Sequence, residues 1–209
     1  MSRRIALAGV VGLVVVLGGM AALVASVGDG SSSAPADRFR GSEPPGGIAM
    51  SDFTLRHHDG RPVRSADLRG RVTVLTFLDS QCTESCPVIA WAVARTLDAL
   101  TQDERGDVRA VAITTDPAED TPQNVQGFLG RNRALGRLLY LGGGQPESEL
   151  RRIWNEFKVL SSLESGQDTL HSAPVRIYDR SGEWVATLHA GADLTEANLA
   201  HDIRVALRS

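Results

Sequence analysis

At 209 residues, with 42% hydrophobic and 22% charged side chains, the chain has material for one globular domain and a further segment. Its formal net charge is −3 with acids and bases interspersed, which excludes a basic face for nucleic acid and a polybasic segment for lipid head groups. A domain of this size buries enough apolar surface to fold unaided, so its two cysteines are not needed as staples.

Residues 1–4, "MSRR", precede Ile5–Val27, a run without a charged residue. As a helix that run would be roughly 35 Å long, against a hydrocarbon core of roughly 30 Å, so it reads as a transmembrane anchor. Arg3 and Arg4 then stay in the cytoplasm and everything after Val27 lies outside it. Without those two arginines the exported part carries a formal charge of −5. A cleaved signal peptide is the rival reading. Its apolar region normally spans only about 7–15 residues, and the best cleavage candidate, "APA" at Ala34–Ala36, lies well past the apolar end. Either reading puts the domain on the extracytoplasmic side. Neither cysteine sits at the end of the apolar run, which excludes lipoprotein attachment there.

Residues 28–47 are rich in Gly, Ser and Pro and read as a flexible linker, with the folded domain spanning 48–209. In "DFTLRHHDGRPVRSADLRGR" the Asp59-Gly60 pair predicts a hairpin turn, followed by a short connection. "VTVLTFL", Val72–Leu78, suits a strand buried on both faces. After the cysteine stretch, Ile89, Val93, Leu97 and Leu100 recur at helical spacing. A strand "VRAVAITT", a helix opened by "TPQNV", a strand "LLYL" and a helix "PESELRRIWNEF" follow. A polar loop leads to a second hairpin, "APVRIYDRSGEWVATLH", and a terminal helix "LTEANLAHDIRVAL". This order predicts an α/β fold of thioredoxin-like type, a mixed central sheet with helices on both faces.

The chemistry centres on "TFLDSQCTESCP", which holds Cys82 and Cys86. Proline fixes its own φ and disfavours the α region before it, so Pro87 is expected at the first helical position with Cys86 as N-cap. Both sulfurs would lie at the positive end of the helix dipole, where thiolates are stabilised and reactive. A disulfide four residues long closes a very small loop and adds little stability, so a bond that opens and closes, or a pair of ligands for a soft metal ion, is the more plausible use. Two sulfurs make a weak site alone, and the five histidines are the obvious supplement. His57 and His58 flank a turn and are expected to be solvated. His189 ends a strand, and His201 lies in the last helix. His171, in "DTLHSAPV", enters a strand that this fold lays next to the helix N-terminus; from spacing alone it is either a ligand or only hydrogen-bonded.

Three blocks in order resemble the Sco/SenC copper-binding proteins that assist assembly of cytochrome c oxidase: "FLDSQCTESCP" (strand, then CxxxCP), "TTDPAEDTP" (DPxxDTP) and "LHSAPVRIYDRSG" (histidine, strand, turn). The resemblance implies that Cys82, Cys86 and His171 bind copper, Cu(I) or Cu(II), which two thiolates and an imidazole suit. It also implies that Asp116 orients a ligand or a partner near the copper, beside its plainer use as a loop-closing carboxylate. Thr83, Glu119 and Leu170 depart from the residues usual in the family. The implied function is an anchored copper chaperone for an oxidase subunit, working as a monomer with a thiol-reducing partner protein. The alternative is a thiol–disulfide oxidoreductase in which Cys82 attacks and Cys86 resolves; it needs no His171, and thioredoxins place a cis proline near the position of Pro174. No PxxxTxxC pattern supports a peroxidase, and Met50 is the only methionine after the apolar run, which disfavours a thioether copper site.

Overall fold

Val72–Leu78 (β3) is buried at all seven positions because it runs through the middle of a five-stranded sheet. The structure, a computed structural model, describes residues 38–159 and 173–209. The sheet order is β5-β4-β3-β6-β7, with β4 Val108–Thr114, β5 Leu138–Leu141, β6 Pro174–Tyr178 and β7 Trp184–His189. β3, β4 and β5 run parallel, whereas β6 is antiparallel to both β3 and β7. The register pairs Val72 with Val108 and Leu78 with Thr114. The three parallel strands therefore end at one edge, and β6, pairing Thr73 with Tyr178, begins at that same edge. This is the thioredoxin-like arrangement expected from the order of elements.

Side chains alternate across the sheet and build two cores. On one face Val72, Val74 and Leu78 pack with the helices α1 (Ser85–Ala99), α3 (Pro122–Arg131) and α5 (Glu196–Arg208). On the other, Leu75 and Phe77 pack with α4 (Glu147–Glu156) and with Leu55 of the small β1–β2 hairpin (Thr54–Arg56, Pro62–Arg64). A 3-10 turn, Ser65–Leu68, makes the short connection to β3.

A short helix, α2 (Gln102–Gly106), was not expected from periodicity. It has no buried residue and forms through its capping box: Glu104 N–H donates to Thr101 Oγ1 at 3.2 Å, and Thr101 N–H donates to Glu104 Oε2 at 2.8 Å. Arg204 of α5 grips the same carboxylate at 2.7 Å. The Arg204 guanidinium, helped by the Thr101 N–H, holds Glu104 below the usual carboxylate range. A depressed acid contributes stability above its unfolded value of 4.5, and that contribution is lost as pH falls through the folded value. Glu104→Gln is expected to cost roughly 0.5–1 kcal/mol at pH 7 and to flatten the acid limb; urea midpoints measured from pH 7 down to pH 3 check this.

Among the described residues, Arg38–Ser42 already contact the domain, ahead of the Ile48 boundary read from the sequence. Arg40 and Gly41 N–H groups donate to the buried Asp202 carboxylate at 2.8 and 2.9 Å, and Ser42 exchanges two backbone hydrogen bonds with Thr187 of β7. Gly41 lies so close that a Cβ there would stand 2.5 Å from the Thr187 carbonyl oxygen. The apolar run Ile5–Val27 lies outside the described residues. Among the described residues, no helix is long and apolar enough to cross a membrane.

Candidate functional site

The loops leaving β3 and β4, residues 79–84 and 115–121, lie side by side at the edge where the parallel strands end. In the first, the Asp79 carboxylate accepts the Gln81 N–H at 2.7 Å and the Asp79 carbonyl accepts the Cys82 N–H at 3.3 Å, so the chain turns tightly before α1. α1 starts at Ser85 with Glu84 at the N-cap, whose side chain makes no capping hydrogen bond. Cys86 thus lies inside the first turn rather than at the cap, and Pro87 follows it there. Every N–H of a first turn lacks an intrahelical acceptor, so proline is tolerated anywhere in it and does not fix the start.

Both cysteines are free; Cys82 is half-buried, and Cys86 is 5% exposed. Burial pushes the Cys86 thiol well up, although the Asp79 N–H directed at its sulfur opposes the rise. The neighbouring Cys82 thiol raises it further. The expectation of two activated thiolates is therefore corrected for Cys86: desolvation outweighs the helix dipole. Two free thiols four residues apart at the start of one helix can serve as a pair of soft ligands or as a dithiol.

Sequence reasoning passed over Asp120. It is fully buried, and its carboxylate accepts the Ser80 N–H at 2.8 Å, the Thr114 hydroxyl at 2.5 Å and the Tyr140 hydroxyl at 2.6 Å. Three donors from three strands or their ends satisfy this carboxylate and tie the cysteine loop to β4 and β5. Burial, and then the Asp120 charge, push the Tyr140 hydroxyl up. Asp116 is half-buried; its carboxylate accepts the Glu119 N–H at 3.3 Å, and its carbonyl accepts the Asp120 N–H at 3.0 Å. Asp79, raised chiefly by desolvation, also feels the charges of Asp120 and Asp116, so the three carboxylates cluster behind the cysteines. The DPxxDTP block signalled both aspartates, but only the pairing of β5 with β4 reveals which one is buried.

The histidines separate. His57 is buried rather than solvated, because it forms an isolated bridge with Leu141 of the sheet's edge strand. Its ring centroid lies 4.0 Å from that of His58, and its Nδ1 lies 2.9 Å from Asp59 Oδ1. His189 ends β7 opposite Pro174, at the edge that carries the cysteine loop. His201 Nε2 lies 3.0 Å from the Arg38 carbonyl. His171 lies outside the described residues. Among the described residues, no group of three or more His, Cys, Asp or Glu side chains is arranged to hold a metal ion, and no peptide bond is cis, that before Pro174 included.

A family model described as SCO1/SenC matches residues 42–208. The chain belongs to the SCO1/SenC family. Among curated relatives, "SCO1 protein homolog" of Bacillus subtilis is 29% identical over 120 residues, 57% of this chain and 62% of its own length. "Protein SCO1 homolog 1, mitochondrial" of Arabidopsis thaliana is 29% identical over 63% of this chain and 39% of its own length. The chain thus spans only part of the curated relatives it matches. Among solved structures, Bradyrhizobium japonicum ScoI with copper bound superposes with a TM-score of 0.63 at 23% identity, covering 77% of this chain and 100% of that one. BsSco, described as carrying a disulfide switch and as a member of the Sco family of cytochrome c oxidase assembly proteins, gives 0.66 at 21% identity, covering 79% and 96%. At these identities the likeness is one of Sco fold.

Proposed function

We propose that this SCO1/SenC chain is a copper chaperone, anchored by Ile5–Val27 with its domain on the extracytoplasmic side, that serves assembly of the copper site of cytochrome c oxidase. The observation that carries the reading is the free Cys82–Cys86 pair at the mouth of α1. Two soft donors suit Cu(I) ahead of hard cations. Copper is the cargo, passed on by ligand exchange to an oxidase subunit. His171 is the third ligand in this reading. It precedes Ala173 by two residues, and β6 begins at the edge where the cysteine loop leaves β3. Asp116, in the neighbouring loop, acts as an outer carboxylate that orients a ligand or a partner. The chain works as a monomer and needs a thiol-reducing protein, because only the dithiol state binds metal.

The free pair also supports a second reading, a thiol–disulfide oxidoreductase in which the more exposed Cys82 attacks a partner disulfide and the buried Cys86 resolves the mixed disulfide. A competitive Cu(I) titration of the reduced full chain, beside Cys82→Ser, Cys86→Ser and His171→Ala, separates the two.

A further inference from the structure

The outer row of α1 begins beside the cysteine pair. Helical spacing puts Glu84, at the cap, in line with Val88, Trp91 and Arg95, and all four are exposed. Val88 is 53% and Trp91 44% exposed, so two of the large apolar side chains on the described surface sit one turn apart here. The helix does not need them for packing, since Ile89, Val93 and Leu97 already bury its inner face. Trp91 is five residues past Cys86, roughly 7.5 Å along the axis. Arg95 lies 5.7 Å from the Trp91 ring centroid and 3.5 Å from Glu196, which supports the indole from the side away from the cysteines.

The surroundings carry one sign of charge. Residues 79–86 and 115–121, tied together through Ser80 and Asp120, expose Glu84 and Glu119 on the side of the cysteine pair, with Asp79 and Asp116 half-buried behind them. Those two segments contain no lysine or arginine. An apolar ridge beside a carboxylate rim is complementary to an apolar side chain set among lysines and arginines.

We propose that Val88 and Trp91, with this carboxylate rim, form the docking surface for the protein that takes copper from the cysteine pair, and that this recipient presents such a basic-rimmed apolar side chain. The inference rests on the chaperone reading. A central tryptophan supplies most of the binding energy, and the rim steers the encounter and sets its orientation.

The probe is the soluble copper-centre domain of the oxidase subunit from the same organism, reduced and metal-free. Its binding to the full chain is measured with and without Cu(I), together with the rate of copper transfer. Trp91→Ala and Val88→Ser are each expected to weaken docking and slow transfer at least tenfold while Cu(I) affinity and melting temperature stay at the parent's values. Glu84→Gln with Glu119→Gln is expected to lower the association rate and its dependence on salt. Parent-like docking by Trp91→Ala, or no docking by the parent in either metal state, overturns the proposal. Self-association of the parent that Trp91→Ala abolishes assigns the face to a second copy and also overturns it. A parent that docks through Trp91 without holding copper keeps the surface and ends the chaperone reading.

Discussion

Reduced full chain is expected to take up one Cu(I), and His171→Ala to lose at least about 100-fold in affinity. Outer residues that only orient a ligand change metal affinity by about 10–100-fold, so loss of the ligand itself costs more. Cys82→Ser and Cys86→Ser exchange a soft sulfur for a hard hydroxyl and are expected to abolish tight binding. The measurement is competition against a colourimetric Cu(I) chelator under reducing conditions. An imidazole-free variant that held copper as firmly as the parent would move the assignment to the oxidoreductase, whose two-thiol chemistry needs no third donor. The same variants decide the point from the other side: a reductase keeps its activity on a disulfide substrate in His171→Ala and loses it in Cys82→Ser.

The second large effect is expected at Gly143, far from the cysteines in sequence. A Cβ there would collide with the carbonyl oxygen of Asp120, a backbone atom that cannot swing aside. Gly144 N–H also donates to the Pro117 carbonyl at 2.8 Å, so the loop after β5 clamps the loop after β4. Gly143→Ala is therefore expected to destabilise by about 3 kcal/mol, at the top of the usual overpacking range. Because Asp120 also holds the Ser80 N–H, the displaced loop disturbs the cysteines, and copper affinity falls together with the denaturation midpoint. Parent-like stability would mean that the two loops separate at little cost, and that Asp120 does not hold the cysteine loop through them.

What was legible in the chain divides by range. The apolar runs Val72–Leu78 and Leu138–Leu141 coincide with β3 and β5, because a doubly buried strand must be apolar throughout. The cysteine pair and the three ordered blocks were legible because each is local in sequence. α2 escaped because its five residues have no apolar period; its only trace was the Thr101-to-Glu104 spacing. The start of α1 falls two residues earlier than the expected Pro87, because the local rule for proline allows several first-turn positions. At Cys86 the helix dipole is visible in sequence and the burial that outweighs it is not. Asp120 and His57 depend on which strands become neighbours, which no short window contains.

The seam made by Asp202 with Arg40 and Gly41, and by Ser42 with Thr187, has a mechanical consequence. A pull on the front of the chain is borne first by the last helix and the outermost strand. The last helix packs directly on α1, so part of that load passes to the helix that carries Cys86. Trimming the C-terminal helix would unfasten the chain's beginning as well as its end.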